Sequence, residues 1–291
     1  MGTFPAVDVR SESPDIIAAC VDDFEPTAIE ERADSVRVFF TDARLRDAAA
    51  AALSATGYDV QSTEVDDEDW ARRSQQNLTA VTVGRIIVSP PWAVAGEGTG
   101  PLASSHITAH AGLQPIWVVI EPSMGFGTGH HASTRLCLRA LQVCDLTNEF
   151  VLDIGTGSGV LAIAAVRLGA AKALGIDRDQ DAIQAATANL RHNPEIQSVE
   201  FRAADFVNDR FPRAAVVTAN LTGALLIREA NLLRDFVQPT GRLILSGLLE
   251  GERNDVVEAF GVGLSASSAG SPSIVWEEHE DGWVGLGLCC N

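Results

Sequence analysis

One stretch, residues 150–177, constrains the fold of this 291-residue chain more than any other. It reads FVLDIGTGSGVLAIAAVRLGAAKALGID, with an apolar run, three glycines at alternate positions, an alanine-rich segment and a second apolar run. That order is typical of a strand, a glycine turn, a helix and a second strand, the unit that binds adenosine-containing ligands. We therefore predict an α/β sheet built around this stretch, with Asp153 and Asp177 at the ends of its two strands.

The spacing of the glycines and carboxylates selects among such ligands. Dinucleotide sites use G-x-G-x-x-G, whereas the glycines here form G-x-G-x-G and Val160 stands where that motif has its third glycine. Asp153 lies two residues before Gly155, where a carboxylate repels a diphosphate and suits a cationic ligand. Asp177 follows Gly155 by 22 residues, the spacing of a carboxylate that accepts hydrogen bonds from ribose hydroxyls. These features indicate S-adenosylmethionine and disfavour an NAD-dependent oxidoreductase.

Composition excludes several other classes of protein. The net charge of −18, from 39 acids and 21 bases, opposes direct nucleic-acid binding and suits a basic partner, or simply keeps the chain in solution. Five cysteines, an odd number without C-x-x-C spacing, indicate no disulfide framework. The chain has neither an apolar run of bilayer length nor a signal-peptide pattern, so we expect a cytoplasmic protein that does not interact with membranes.

The chain divides into two domains by pattern. Residues 1–90 read as an α+β domain, with strands at 35–40, 58–65 and 85–89 and a helix at 42–56. Residues 91–114 are rich in Gly, Ala and Ser and are predicted to form a flexible linker. From residue 115 to 291 apolar strands alternate with helices, which predicts a doubly wound, mostly parallel sheet. Two closing strands with no helix between them indicate an antiparallel edge.

Polar residues follow several of the predicted strands, and in a doubly wound sheet the ligand lies beyond those carboxyl ends. We expect a site formed by Glu121, Asp153, Asp177, Asp205 and Asn220, with Asp205 reaching the adenine amino group. The adjacent histidines at 130 and 131 do not form a metal pair, because neighbouring residues of a loop point apart and no third ligand lies at suitable spacing. A loop that closes over the cofactor is the preferred interpretation.

Three segments, EPSMGFGTGHHASTRLCLRAL, LDIGTGSGVLAIAAVRLGAAKALGID and TANL, resemble the PrmA methyltransferases, which modify a ribosomal large-subunit protein. The resemblance is dense over residues 116–250 and weaker before them. It implies a Rossmann-like class I methyltransferase fold preceded by a small ferredoxin-like domain that recognises the substrate. The sequence TANLTGALL lacks the proline that often follows in this family.

The resemblance also assigns residues to the cofactor. Those expected to bind S-adenosylmethionine are Thr134, Gly155, Gly157, Asp177, Asp205 and Asn220, with Phe126, Gly127 and His130 in the loop. Asn220 is the predicted catalytic residue, because its side-chain carbonyl would orient the acceptor amine. No dedicated strong base is expected, since desolvation lowers the lysine pKa from its ordinary value of about 10.4. No metal is expected.

We therefore expect a protein N-methyltransferase that converts S-adenosylmethionine to S-adenosylhomocysteine. It would modify lysine ε-amino groups, N-terminal α-amino groups or both on a basic ribosomal large-subunit protein. Two alternatives remain: the same fold and cofactor with another acceptor, either a different protein lysine or a small molecule, and a non-catalytic module that only binds the cofactor. The number of methyl groups added and the oligomeric state are not predicted.

Overall fold

The computed structural model describes residues 3–11, 17, 20–21, 24, 26–32, 34–66, 79–94, 114–122, 130–262 and 272–290. The chain forms two compact units, residues 1–78 and 79–291. Within the described ranges no helix is long and apolar enough to cross a membrane.

The first unit is a four-stranded sheet with strands β1 Thr3–Val9, β2 Ala28–Glu31, β3 Val36–Phe39 and β4 Val60–Asp66, and it carries the helix α1 Ala43–Ala55. The strand order is β2-β3-β1-β4, and all neighbours are antiparallel. The predicted β3, α1 and β4 are present, but β1 lies between β3 and β4, so these strands are not neighbours. Strands β1 and β2 were not predicted.

Helix α1 begins and ends where the sequence indicated. The Asp42 carboxylate accepts hydrogen bonds from the N–H groups of Arg44 and Leu45, at 2.8 and 3.1 Å, as an N-cap. Gly57, just past the helix, has φ of 91°, a conformation in which glycine is favoured. The helix buries Ala49 and Leu53 against apolar side chains of the sheet.

A three-stranded sheet opens the second unit, with β5 Val81–Val83, β6 Ile86–Ser89, β7 Ile116–Val119 and the short helix α2 Pro91–Val94. Strand β6 pairs in parallel with β7 and antiparallel with β5. The sequence placed residues 85–89 in the N-terminal domain, whereas this pairing puts them in the second unit. The predicted boundary at residue 90 therefore falls inside the second unit. The sequence pattern of residues 85–89 does not show that they pair with β7, which lies more than 25 residues later.

The large sheet has seven strands: β8 Phe150–Ile154, β9 Lys172–Asp177, β10 Val199–Ala203, β11 Ala214–Asn220, β12 Val237–Leu249, β13 Ser273–Glu280 and β14 Trp283–Cys289. Their order is β10-β9-β8-β11-β12-β14-β13. The five strands from β10 to β12 are parallel, and β14 runs antiparallel to both of its neighbours. The antiparallel pairing lies at the edge where it was predicted, with β14 inside and β13 outermost.

Helices cover both faces of this sheet: α3 Ala132–Gln142, α4 Val160–Arg167, α5 Gln180–Arg191, α6 Gly223–Arg228, α7 Ala230–Asp235 and α8 Arg253–Ala259, with a 3-10 turn at Glu250–Glu252. Val151 packs in the core with α3 and α4, whereas Leu152 and Ile154 pack in the core with α6, α7 and α8. Consecutive apolar residues are needed because β8 is buried on both faces. The single helix predicted at 225–236 is instead two helices, separated at Glu229 with φ of −105° and ψ of 16°.

The strand order reverses between β8 and β11. From β8 the chain proceeds through β9 to β10 on one side, and then crosses to β11 and β12 on the other. In an open α/β sheet the crevice beyond the carboxyl ends of the strands at such a reversal is where ligands bind. The ends of β8, β9 and β11 therefore define the candidate site.

Candidate active site

The turn after β8 is a backbone structure anchored to the neighbouring strand. Gly155, Gly157 and Gly159 have φ of 70°, 50° and 82°, the left-handed region that favours glycine. The N–H groups of Gly155 and Thr156 both donate to the carbonyl oxygen of Ile176 at 2.9 Å. The turn is therefore attached to the last residues of β9.

Two of these glycines are also required by their neighbours. A Cβ added to Gly155 would lie 2.6 Å from Cδ2 of Leu221, the residue after β11. A Cβ added to Gly159 would lie 2.5 Å from Cζ of Phe201 on β10. The absence of a Cβ lets the backbone lie close to the Leu221 and Phe201 side chains, and it also lets a ligand approach the backbone.

Asp177 ends β9 and is half-buried beside this turn. One carboxylate oxygen accepts the N–H of Gly157 at 3.1 Å, and the other accepts the N–H of Asp179 at 3.0 Å. Each oxygen of an ionised carboxylate has two lone pairs, so both retain capacity for a further donor. Two fixed acceptor atoms at a strand end suit a pair of adjacent hydroxyl groups.

Asp153 is in the interior, which contradicts its expected contact with a cationic ligand. Its carboxylate is fully buried on β8 and accepts the hydroxyls of Thr156 and Thr218, each at 2.6 Å. Burial raises its pKa to about 6, the two threonine bonds oppose that rise, and the nearby charge of Asp177 adds to it. The carboxylate therefore links the glycine turn to β11 across the middle of the sheet.

Thr134 and Asn220 come together from distant parts of the sequence. Thr134 lies in the first turn of α3 and is only 2% exposed, and Asn220 ends β11. The Asn220 Nδ2 is 3.5 Å from the Thr134 hydroxyl oxygen. A Cβ added to Gly247 would lie 3.0 Å from the Asn220 Oδ1 and 2.4 Å from the Leu221 carbonyl oxygen, so glycine is needed beside this pair.

The two predicted loop histidines have different surroundings. His131 is the N-cap of α3, since its Nδ1 accepts the N–H of Ser133, and its ring contacts Trp283 edge to face at 4.6 Å. Burial, together with the charge of Arg135, lowers its pKa. The ring Nε2 of His130 is 3.1 Å from the carbonyl oxygen of Thr79. Its Nδ1 is buried without a hydrogen-bond partner among the described residues.

The remaining predicted residues fall into two groups. Glu121 and Asp205 are bonded to other protein side chains or backbone: Glu121 contacts the ring of the distant His192 at 3.2 Å, and Asp205 accepts the N–H of Val207 and the side-chain amide of Asn208. The contact of Asp205 with adenine stays a prediction. Phe126 and Gly127 lie outside the described residues. Within the described part of the chain, no three His, Cys, Asp or Glu side chains are grouped to hold a metal ion.

Several polar residues that support the site were not predicted. Thr156 and Thr218 are nearly or fully buried and hold Asp153, and Asn189 is buried on α5 behind the turn. A signal was present for Asn189, because an asparagine inside the apolar face of a helix must find hydrogen-bond partners. Its partners come from other elements, so their identity required the structure.

Comparisons with known proteins agree on one family. Residues 4–286 match the family described as ribosomal protein L11 methyltransferase (PrmA). A ribosomal protein L11 methyltransferase from Cupriavidus pinatubonensis is 36% identical over 90% of this chain and 81% of its own. Another from Deinococcus radiodurans is 36% identical over 77% of this chain and 76% of its own.

A solved structure supports the same fold. The ribosomal protein L11 methylase from Lactobacillus delbrueckii subsp. bulgaricus is similar with a TM-score of 0.59 and 22% sequence identity, over 74% of this chain and 98% of that one. The predicted class I fold is thereby confirmed. By its sequence matches, the chain belongs to the ribosomal protein L11 methyltransferase (PrmA) family and is an S-adenosylmethionine-dependent protein methyltransferase.

Proposed function

We propose that this protein transfers methyl groups from S-adenosylmethionine to lysine ε-amino groups, N-terminal α-amino groups or both of ribosomal protein L11. The observation that carries the proposal is the meeting of Thr134 and Asn220 at the strand reversal, at the same end of the sheet as the glycine turn and Asp177. Relatives named for the methylation of this ribosomal protein support the choice of acceptor. The reaction is assigned to the cytoplasm, where ribosomal proteins are made.

The residues at the strand ends fit the cofactor. The turn at 155–159 presents backbone without Cβ atoms, and Asp177 offers two acceptor oxygens for the ribose hydroxyls. When bound, S-adenosylmethionine supplies a methyl group on a sulfonium centre. We assign Thr134, Asn220 and His130 to its surroundings, with Phe126, Gly127 and Asp205 assigned by resemblance.

Asn220 is assigned to the acceptor. Methyl transfer is an in-line displacement in which the amine lone pair forms the nitrogen–carbon bond, while the carbon–sulfur electron pair leaves with sulfur. The amine must arrive without its proton, which passes to water, and desolvation beside an apolar surface favours that neutral form. The Asn220 Oδ1 is suited to accept an N–H of the amine and hold its lone pair in line, and such alignment supplies most of the acceleration.

Recognition of the substrate is assigned to the N-terminal unit. Its order β2-β3-β1-β4 places β1 between β3 and β4, a split β-α-β arrangement that supports the ferredoxin-like prediction. The overall charge of −18 favours approach of a basic ribosomal protein. The predicted linker at residues 91–114 instead joins β6 and β7, two paired strands of the second unit, and its residues 95–113 lie outside the described residues.

The direct test is methyl transfer to purified L11. The protein, labelled S-adenosylmethionine and L11 are incubated together, and mass spectrometry then locates the label. We expect label on amino groups, and Asn220→Ala should lower kcat by about 100-fold because alignment is lost. Label on RNA or on small molecules, with none on L11, would overturn the proposal.

A chimera separates this acceptor from another protein lysine. Residues 1–78, the N-terminal unit, are replaced by those of a relative with proven L11 activity, and the L11 activity of the chimera is compared with that of the unchanged protein. Gain of L11 activity only in the chimera would mean that the natural acceptor is a different protein. Equal L11 activity of both proteins is the result expected here.

A further inference from the structure

Two asparagines near the end of α5 lie in the interior. Asn189 is 1% exposed and Asn193 is fully buried. Asn189 is in the last turn of α5 and Asn193 lies two residues past its end, and the Asn193 Nδ2 donates to the Asn189 carbonyl oxygen at 2.8 Å. A buried amide is costly unless it is hydrogen-bonded, so the partners of these side chains reveal why they are polar.

Asn193 holds the end of β7. Its Oδ1 accepts the N–H of Val119 at 3.0 Å, and its Nδ2 donates to the carbonyl oxygen of Val119 at 2.8 Å. The amide therefore pairs with both polar groups of one strand residue, as another strand would.

Asn189 joins two separate segments. Its Oδ1 accepts the N–H of Glu121 at 2.8 Å, and its Nδ2 donates to the carbonyl oxygen of Ser158 at 2.9 Å. Ser158 lies between Gly157 and Gly159 in the turn, and Glu121 follows β7 at the start of the segment that leads to α3, of which residues 123–129 lie outside the described residues. One buried amide thus fixes the start of that segment and the turn with respect to each other.

We propose that Asn189 is a positioning residue for the methyl donor, acting through the glycine turn and through Glu121, where the chain leaves β7 toward α3. This inference rests on the proposed function, because those two segments are the ones assigned to S-adenosylmethionine. Asn189 does not itself belong to the binding surface, since its side-chain groups are bonded to Glu121 and Ser158. Its role is to set the spacing between the two segments.

Only a side chain with both a donor and an acceptor serves both partners. Alanine removes both bonds and leaves the Glu121 N–H and Ser158 carbonyl without this partner. An ionised aspartate keeps the acceptor for Glu121 but has no donor for Ser158, whereas a protonated aspartic acid has both. Aspartate has nearly the shape of asparagine, so it tests the bonds without creating a cavity.

The experiment measures the Kd for S-adenosylmethionine by isothermal titration, well below the unfolding temperature of each variant. Asn189→Ala should raise Kd about tenfold, the effect typical of residues that support a binding group from behind. Asn193→Ala is the matched control: it is equally buried and also destabilising, but it has no bond to the turn. It should leave Kd within about twofold of wild type, because its side chain bonds to Val119 of β7 and to the Asn189 backbone, and leaves the Asn189 side chain and its two bonds in place.

Asn189→Asp supplies a second readout that a purely structural role would not produce. At pH 8 its Kd should exceed that of wild type, and the ratio should fall toward one at pH 5.5 as the buried carboxyl takes up a proton. Wild type is titrated in parallel because Asp153, Asp177 and the pair of Glu121 and His192 are nearby. The ratio for Asn189→Ala should stay constant with pH.

Three outcomes decide the matter. Wild type that binds, with Asn189→Ala binding equally well, overturns the positioning role and leaves the proposed function intact. An equal rise in Kd for Asn189→Ala and Asn193→Ala also overturns it, because the effect would then come from destabilisation of the surrounding structure and not from the bond to the turn. Wild type that does not bind S-adenosylmethionine overturns the proposed function, and this inference with it.

Discussion

Carboxylates at the centre and at the edge of the large sheet have opposite surroundings. At the centre, Asp153 is fully buried, and burial raises its pKa to about 6. At the edge, Glu277 of β13 is paired with Arg253 at 2.7 Å, and hydrogen bonding from Arg253 lowers its pKa. Among the described residues, Asp153 is thus hydrogen-bonded by two hydroxyl groups and has no cationic partner, whereas the carboxylates at the edge form ion pairs that are partly open to solvent. We therefore expect substitutions at the centre of the sheet to change stability more than substitutions at its edge.

The turn after β8 at the centre and the β13–β14 turn at the edge also differ in how closely they are packed. Gly159 at the centre and Gly282 in the β13–β14 turn have similar φ values of 82° and 77°. A Cβ at Gly159 would meet Phe201 at 2.5 Å, whereas a Cβ at Gly282 would meet nothing within 4 Å. Backbone strain is therefore common to both glycines, and close packing is particular to the centre.

The largest predicted effect comes from Gly159→Ala. It should lower the free energy of unfolding by about 2–5 kcal/mol, because left-handed strain and overpacking add. Gly282→Ala should cost only about 1–2 kcal/mol, from strain alone. Urea unfolding of both variants measures the difference. Equal losses would show that packing against Phe201 does not distinguish the two turns.

Asp153→Asn tests whether the buried carboxylate makes the free energy of unfolding depend on pH. The pKa is raised from 3.8 to about 6 on folding, so the folded state holds the proton more tightly than the unfolded chain. The resulting stabilisation is present below pH 3.8 and is lost as the pH rises through about 6, which amounts to about 3 kcal/mol. Asparagine does not titrate, so the variant should gain stability relative to wild type over that interval.

Urea unfolding at several pH values between 4 and 7 follows this gain. Glu277→Gln is the edge control, with the opposite sign: the lowered pKa of Glu277 gives stability above its unfolded value of 4.5 that is lost as the pH falls. A difference between Asp153→Asn and wild type that does not change with pH would contradict the prediction.

Asp177→Ala should weaken S-adenosylmethionine binding by about 2 kcal/mol, or roughly 30-fold, since hydrogen bonds to an ionised group are lost. Asp179→Ala is the matched control two residues away. Asp179 caps α5 by accepting the N–H of Asp181 at 2.9 Å, so its loss should cost about 1 kcal/mol of stability and leave affinity unchanged. Isothermal titration distinguishes them, and equal affinities of the two variants would remove Asp177 from the site.

The smallest effect is expected at the edge. Arg139 pairs with Glu278 at 3.3 Å and also with Glu280, and the Arg139 side chain is 30% exposed. Arg139→Ala should lower the free energy of unfolding by about 0.2–1 kcal/mol, and by less in high salt. Urea unfolding at two salt concentrations measures this. A decrease in the free energy of unfolding as large as that of Gly159→Ala would show that the edge of the sheet is as sensitive to substitution as its centre.

Much of the site was predictable because its signals are local. The glycines that need positive φ, the apolar strands buried on both faces and the polar residues after them are readable along the chain. The family motifs then identified the class of enzyme and the methyl donor, and both are confirmed. The domain roles and the individual site residues stay predictions that the experiments above address.

The errors arise where distant segments meet. Asp153 was expected to face the ligand, but Thr218, 65 residues later, closes over it. Residues 85–89 were assigned to the wrong compact unit, because β6 pairs with a strand beyond the linker. A strand-end carboxylate looks the same in sequence whether it is covered or open.

The α/β class, the glycine turn and the chemistry of the donor follow from residues close along the chain, because those residues set backbone conformation and the burial of strands. Which acid is enclosed, which histidine caps α3 and which segments Asn189 joins depend on contacts between distant parts of the chain. Burial and hydrogen-bond pairing between segments set the pKa and the accessibility of a side chain, and those pairings exist only once the sheet has assembled.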